Sequence, residues 1–281
     1  MSKVPILQSA RAALEFRRLH WRRVTGVLTA VAVGGTLNAA GELSGNVGLR
    51  GIGEVIYLVA TAMAYAALMR LAFADEHPDD PEFRPGPQGF QWGRPEWRLL
   101  GVALLVLFAY VIALLMVIFV AMLVLVVSGV SGAVKEGATP EALLAALGPG
   151  ATTVLGLLMI AFMVGMIYAA VRISLAPAAT VSRKRISVFE TWRLTKGQAW
   201  PVLLATLLVS LPSIVTALVL AVVVRQTGHP TGPEGALQIA MPGALIVGLL
   251  PGLVVAYLQL PLGVGLVAYL FRGLRPPEEK A

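Results

Sequence analysis

The stretch from Leu99 to Val130, LLGVALLVLFAYVIALLMVIFVAMLVLVVSGV, contains no Asp, Glu, Lys, Arg or His. A helix of a soluble core buries one stripe and keeps a polar side for water, and this stretch has no polar side. A hydrocarbon layer of about 30 Å is crossed by roughly 20 apolar residues at helical rise. Leu99 to Val130 exceeds that length and should tilt or protrude. Working outward, five more segments reach or approach it: Val24 to Leu43, Ile52 to Phe73, Ala151 to Ile173, Pro201 to Val224 and Pro242 to Phe271. A backbone inside lipid must satisfy its own amides, which leaves helices or a closed barrel. Barrel strands would alternate in polarity, and these segments do not. The expected fold is an all-α membrane protein with six transmembrane helices in a single integral membrane domain, 1-281.

The cations give this scheme a direction. Lys3, Arg11, Arg17, Arg18, Arg22 and Arg23 precede the first span. Arg70, Arg84, Arg94 and Arg98 lie around the second connection, Arg172, Arg183, Lys184, Arg185, Arg193 and Lys196 around the fourth, and Arg272, Arg275 and Lys280 in the tail. Arg50, Lys135 and Arg225 are alone in the three alternating connections. Positive charge in short loops resists translocation, so both termini are expected in the cytoplasm. A net charge of +7 would fit nucleic acid in a soluble protein. Here orientation and attraction to anionic cytoplasmic lipid account for it, and no nucleic-acid partner is expected.

The chain has no cysteine, which excludes a disulfide framework, a thiolate metal site and a Cys nucleophile. The N-terminus departs from a signal peptide: its polar region runs about twenty residues, and Leu37-Asn38-Ala39-Ala40 lacks the small residue three places before a cut. Val24 to Leu43 is therefore read as a retained span. Before it, Arg11, Glu15, Arg18 and Arg22 share one helical face, while Leu7, Ala10, Leu14 and Trp21 fall around another. The pattern predicts a basic interfacial helix over 1-23. In the fourth connection, Ser187 and Glu190 have capping-box spacing, and Lys196 with Gly197 suits a helix end. A short cytoplasmic helix is expected over Val188 to Lys196, with Pro201 opening the next span.

Three phrases, Glu15-Phe16-Arg17-Arg18-Leu19, Glu96-Trp97-Arg98-Leu99 and Glu190-Thr191-Trp192-Arg193-Leu194, place an acid, an aromatic, an arginine and a leucine before a helical pair. They fit an internal repeat. The general preference for Trp and Arg wherever a chain re-enters a membrane accounts for them better.

The residues Arg172-Ile173-Ser174-Leu175-Ala176-Pro177-Ala178-Ala179-Thr180-Val181, then Ser187, Trp192-Arg193-Leu194-Thr195-Lys196-Gly197 and Trp200, carry a resemblance. With the six-span layout they resemble the YciC-like family of bacterial inner-membrane proteins, which includes the membrane domain attached to some glycerophosphodiester phosphodiesterases. The Trp97-Arg98-Leu99 entry is similar to uncharacterised alphaproteobacterial members. The resemblance implies a multi-pass envelope protein of the bacterial inner (plasma) membrane with a connection to lipid. No soluble phosphodiesterase domain accompanies it here, so hydrolysis does not carry over.

No catalytic group is expected. His20, His77 and His229 lie on three different connections, so no metal site follows, and nothing calls for a cofactor. Asp75-Glu76-His77-Pro78-Asp79-Asp80-Pro81-Glu82 lacks the glycine of a calcium loop and reads as a solvated linker. Pro78 to Pro95, with five prolines and three glycines, reads as a loop without regular structure. No ionisable residue occupies the middle of a span. Glu54, Arg70 and Arg172 sit near ends, within reach of the interface, which counts against proton-coupled pumps. Asn38, Gln259 and the tyrosines read as interhelical hydrogen bonders or interface anchors. In the last span Pro251 and Pro261 predict a kink beside Gln259, and Gly248 with Gly252 a close helix contact.

Two functions follow. The first is a non-enzymatic membrane protein that binds anionic lipid of the cytoplasmic leaflet, or organises a membrane-protein partner or a second copy of itself. Its headgroup contacts would be Arg183, Lys184, Arg185, Arg193 and Lys196 beside Trp192 and Trp200. The second is a transporter or flippase for an uncharged or amphipathic, lipid-like solute, its path lined by Gln259, Pro251 and Pro261.

Overall fold

The computed structural model describes residues 5–128, 147–227, 229–230 and 237–275. Lys3, Lys135, Lys280, the His229 side chain and the end of the third expected span at Gly129 and Val130 lie outside the described residues. Apart from one pair of two-residue strands, the regular structure of the described residues is helical, and six of the helical stretches are long and apolar enough to cross a membrane. In order these are α1 (Ile6–His20), a 3-10 turn (Trp21–Val24) and α2 (Thr25–Ser44), then α3 (Val47–Phe73), α4 (Arg94–Val127) and α5 (Pro149–Ile173). After the short helices α6 (Ala176–Ser182) and α7 (Glu190–Leu194) come α8 (Ala199–Thr227), α9 (Met241–Val254), a π-turn (Val255–Gln259) and α10 (Leu260–Leu274). His229–Pro230 and Leu237–Gln238 pair antiparallel between α8 and α9. By internal contacts the chain divides into Met1–Val102 with Ile173–Ala281, and Ala103–Arg172.

In the larger unit, α2 and α3 form a hairpin closed by Ser44, Gly45 and Asn46. Gly45 takes a left-handed φ of 69° after the last turn of α2, where a side chain would clash. Asn46 then caps α3, its side-chain oxygen accepting from the Leu49 amide at 3.0 Å. The two helices meet through glycines rather than large side chains. A methyl group at Gly34 would lie 2.5 Å from the Tyr57 nitrogen, and ones at Gly41 and Gly53 would meet the Arg50 and Asn38 backbones. On another side of α2, a methyl at Gly252 of α9 would lie 2.6 Å from the Ala32 carbonyl oxygen and one at Gly248 2.9 Å from that of Thr36. Apolar solvation gives no drive to associate inside lipid, so dispersion between closely apposed backbones has to supply it. The close contact expected at Gly248 and Gly252 is present.

The arginine-rich ends of these helices pack differently. Val24, Val27, Leu28 and Val31, the run from Ala66 to Phe73, Phe83, Ala178, Ala179, Val181, Val264, Ala268 and Phe271 form one buried cluster. Phe73 and Phe271 meet edge to face at 6.0 Å. This is side-chain interdigitation of the kind found in a soluble core.

The N-terminal basic stretch is helical as expected, and it runs through the 3-10 turn into α2. Its packed face holds Ser9, Ala13, Phe16 and Arg17, and a methyl at Gly265 of α10 would lie 2.9 Å from Phe16. Leu7 and Leu14, 69% and 53% exposed, face outward together with Arg11, Glu15 and Arg18.

In the smaller unit, almost every apolar side chain of α4 beyond Val102 and of α5 is partly or fully exposed; Val171 and Arg172 are the buried exceptions among the described residues. Water would not tolerate such a surface, and lipid does. At about 51 Å for 34 residues, α4 has the excess length read from the sequence.

Candidate functional site

The fourth connection, which carries most of the expected headgroup residues, is built by short-range chemistry. Pro177 starts α6, and Lys184 leaves it with a left-handed φ of 54°. The Ser187 amide then donates to Thr180 Oγ1 at 3.1 Å, Thr191 Oγ1 to the Val188 carbonyl at 2.6 Å and Thr195 Oγ1 to the Thr191 carbonyl at 3.0 Å. These hydroxyls satisfy themselves within the turn, so it can sit against the core. Gly197, at φ 75°, precedes α8. Pro201 falls in the first turn of α8, where its missing donor is an orphan in any case.

The expected capping box does not form. Ser187 Oγ has no hydrogen-bond partner and the N-cap of α7 is Phe189, so the helix is shorter than expected, Glu190–Leu194. Glu190 turns away because two guanidiniums compete for it: it pairs with Arg183 and, at 3.0 Å, with Arg185. A charge-assisted pair outweighs a neutral cap hydrogen bond.

The acidic run is likewise no free linker. Glu76 accepts from Arg272 Nε and Arg275 Nη1, each at 2.6 Å. Asp80 pairs with Lys184 and Glu82 with Arg98 at 2.6 Å. The Asp80 carboxyl is held below the usual carboxylate range by the hydrogen bond from Lys184 and by the Glu82 amide at its other side. The segment expected to lack regular structure contains 3-10 turns at Pro81–Phe83 and Pro87–Gly89. Phe83 is buried, and His77 stacks on it at 4.4 Å.

Arg70 differs from its expected place at the interface. Its side chain is 1% exposed, and Nη2 pairs at 2.7 Å with Glu96, which is 0% exposed. Arg70 Nε also donates to the Glu82 carbonyl at 3.0 Å, and the Gly93 amide donates to Glu96 Oε2 at 2.8 Å.

Of the seven headgroup candidates, Arg183, Lys184 and Arg185 are thus occupied by carboxylates. Arg193 and Lys196 are exposed with no ion pair among the described residues, beside Trp192 at 39% and Trp200 at 74% exposure. Phe189 and Ile186 of the same connection are 73% and 52% exposed. All five tryptophans, Trp21, Trp92, Trp97, Trp192 and Trp200, fall in the arginine-rich segments of the larger unit.

The sixth span runs as one helical stretch from Met241 to Leu274, with a π-turn at Val255–Gln259 between Pro251 and Pro261. The three expected path residues separate there. Gln259 is tied across to α8, accepting from Ser213 Oγ at 2.9 Å and donating to Ser210 Oγ at 3.3 Å. Pro261 is buried. Pro251 borders an open cavity of about 250 Å³ with Asn38, Glu42, Tyr57 and Gly252.

Sequence reasoning missed the partner of the π-turn. Arg17 Nε donates to the Tyr257 carbonyl at 2.8 Å, and Thr29 Oγ1 meets the Tyr257 hydroxyl at 2.7 Å. The available signal was position: on a helical wheel Arg17 falls with Ser9, Ala13 and Phe16, apart from Arg11 and Arg18.

No cluster of three metal-ligating side chains occurs among the described residues. No protein-family model matches the chain, and neither a characterised protein nor a solved structure matches it.

Proposed function

We propose that the chain is a non-enzymatic, multi-pass protein of the bacterial inner membrane, both termini cytoplasmic, which binds anionic lipid at its arginine-rich end. The observation that carries this reading is the exposed rim of Arg193 and Lys196 beside Trp192 and Trp200. Indole rings favour the headgroup level, and exposed cations with no ion pair among the described residues attract phosphate there. The resemblance over Arg172 to Trp200 to the YciC-like family supports the same class. Native mass spectrometry of protein purified in mild detergent tests it. R193Q together with K196Q is expected to lower the co-purified phosphatidylglycerol several-fold, and an unchanged lipid profile would refute the reading.

A second reading, a flippase for a lipid-like solute, has one observation in its favour. The cavity at Pro251 offers an amide, a phenol and a carboxylate on a mostly apolar wall, in the composition expected of a small-molecule site. It predicts that proteoliposomes of the chain scramble a fluorescent phospholipid faster than empty vesicles. Equal rates remove it.

A further inference from the structure

The strap after α3 places carboxylates where a phosphate would fit. Arg272, in the last turn of α10, and Arg275, the extended residue that ends it, each give one hydrogen bond to a different oxygen of Glu76. Two guanidiniums sharing one oxyanion is the arrangement by which arginines hold phosphate. Nearby in sequence, Asp80 takes Lys184 from the opposite connection. The strap's backbone hydrogen bonds are its own: His77 to Ala74, Asp80 to His77 and Phe83 to Asp80. Among the described residues, residues 75–80 are tied to the body by the Glu76 and Asp80 ion pairs and by the stacking of His77 on Phe83. The far end is fixed separately, by buried Phe83, by Arg98 on Glu82 and by Arg70 on the Glu82 carbonyl. The Lys184 side chain is 42% exposed and that of Arg272 39%, so these two pairs are open to competition, while Arg275 on Glu76 is the more shielded, at 16%.

We propose that Arg272, Arg275 and Lys184 form a second phosphate-binding surface for anionic lipid headgroups, and that the carboxylates of Glu76 and Asp80 fill it as an internal competitor. The proposal rests on the reading that this end of the molecule faces an anionic leaflet. In neutral lipid the strap stays down; in anionic lipid residues 75–80 lift while Phe83 holds.

Because the chain has no cysteine, spin labels on D79C and G273C report the strap's distance from the end of α10. Asp79 is exposed, and Gly273 has open space for a side chain. The full chain is measured in nanodiscs of phosphatidylcholine, in nanodiscs with phosphatidylglycerol as a third of the lipid, and in phosphatidylcholine with glycerol phosphate in the buffer. A narrow distance distribution that lengthens and broadens with phosphatidylglycerol alone is the expected result. The same change with glycerol phosphate overturns the lipid assignment in favour of a soluble phosphate compound, and no change in either arm overturns the surface altogether. E76Q together with D80N should lengthen the distance already in phosphatidylcholine and raise phosphatidylglycerol retention several-fold; unaltered retention overturns the competition. Retention that depends on Arg193 and Lys196 with an unmoved strap sinks this proposal alone. A wild-type chain that retains no phosphatidylglycerol sinks the lipid reading beneath it.

Discussion

Arg70 and Glu96 form an ion pair that neither water nor headgroups reach, and its cost is visible in the orphaned atoms. Arg70 Nη1 and Glu96 Oε1 have no hydrogen-bond partner, so desolvation is only partly offset. What the pair supplies is register. It ties the last turn of α3 to the first turn of α4, with the Glu82 carbonyl and the Gly93 amide as further ligands. Removing one partner strands the other charge, so R70M or E96L alone should destabilise the detergent-solubilised protein by about 3–5 kcal/mol. The double replacement should cost far less than the sum, since two apolar side chains leave no charge behind. Chemical unfolding of the three variants checks this, and additive losses would show that the pair is not coupled. Arg70 was legible in the sequence as a cation near a span end, and nothing more. Charge counting assigns a side of the membrane and says nothing of which acid 26 residues away will meet it. The same gap hid the strap: Asp75 to Glu82 reads as a solvated run until the basic turn at Lys184 and the end of α10 arrive beside it.

At the scale of elements, the prolines of the sixth span mark where its helix departs from α geometry and do not say what packs there. Pro261 removes the amide that would bond the Tyr257 carbonyl four residues earlier, and the π-turn over Val255–Gln259 absorbs the mismatch. A carbonyl left bare among packed helices is costly. Arg17 satisfies it from α1, a helix 240 residues away in sequence. Proline positions announce such a departure, because they act on their own backbone. The group that satisfies the freed carbonyl comes from tertiary packing, which local pattern does not encode. A charged hydrogen bond of this kind contributes about 1.5–3 kcal/mol, so R17M should destabilise by that order. In a P261A background the restored amide competes for the same carbonyl, and R17M should then cost less than half as much. A double-mutant cycle measured by thermal unfolding separates this from a simple packing role, under which Arg17 would cost the same in both backgrounds.

For the whole molecule, two independent patterns mark the same end. The segments that hold nineteen of the 22 Lys and Arg residues also hold every tryptophan, and most of these residues belong to the larger unit with its side-chain-packed core. At the other ends of α2, α3 and α9 the contacts are glycine against backbone and the surface is apolar. A bilayer face at the level of the tryptophans would leave the ion pairs and the strap on the charged side, and the glycine-packed stretches in hydrocarbon. That arrangement makes a prediction about sidedness. In the cysteine-free chain, G48C lies in the first turn of α3, exposed and with room for a side chain, while K196C and G273C lie at the basic end. With six crossings and positive charge retained inside, a membrane-impermeant maleimide should label G48C in intact cells, and K196C and G273C only in inverted vesicles. Labelling of G48C and K196C from one side would break the six-crossing order, and with it the assignment of Arg193, Lys196 and the strap to the anionic leaflet.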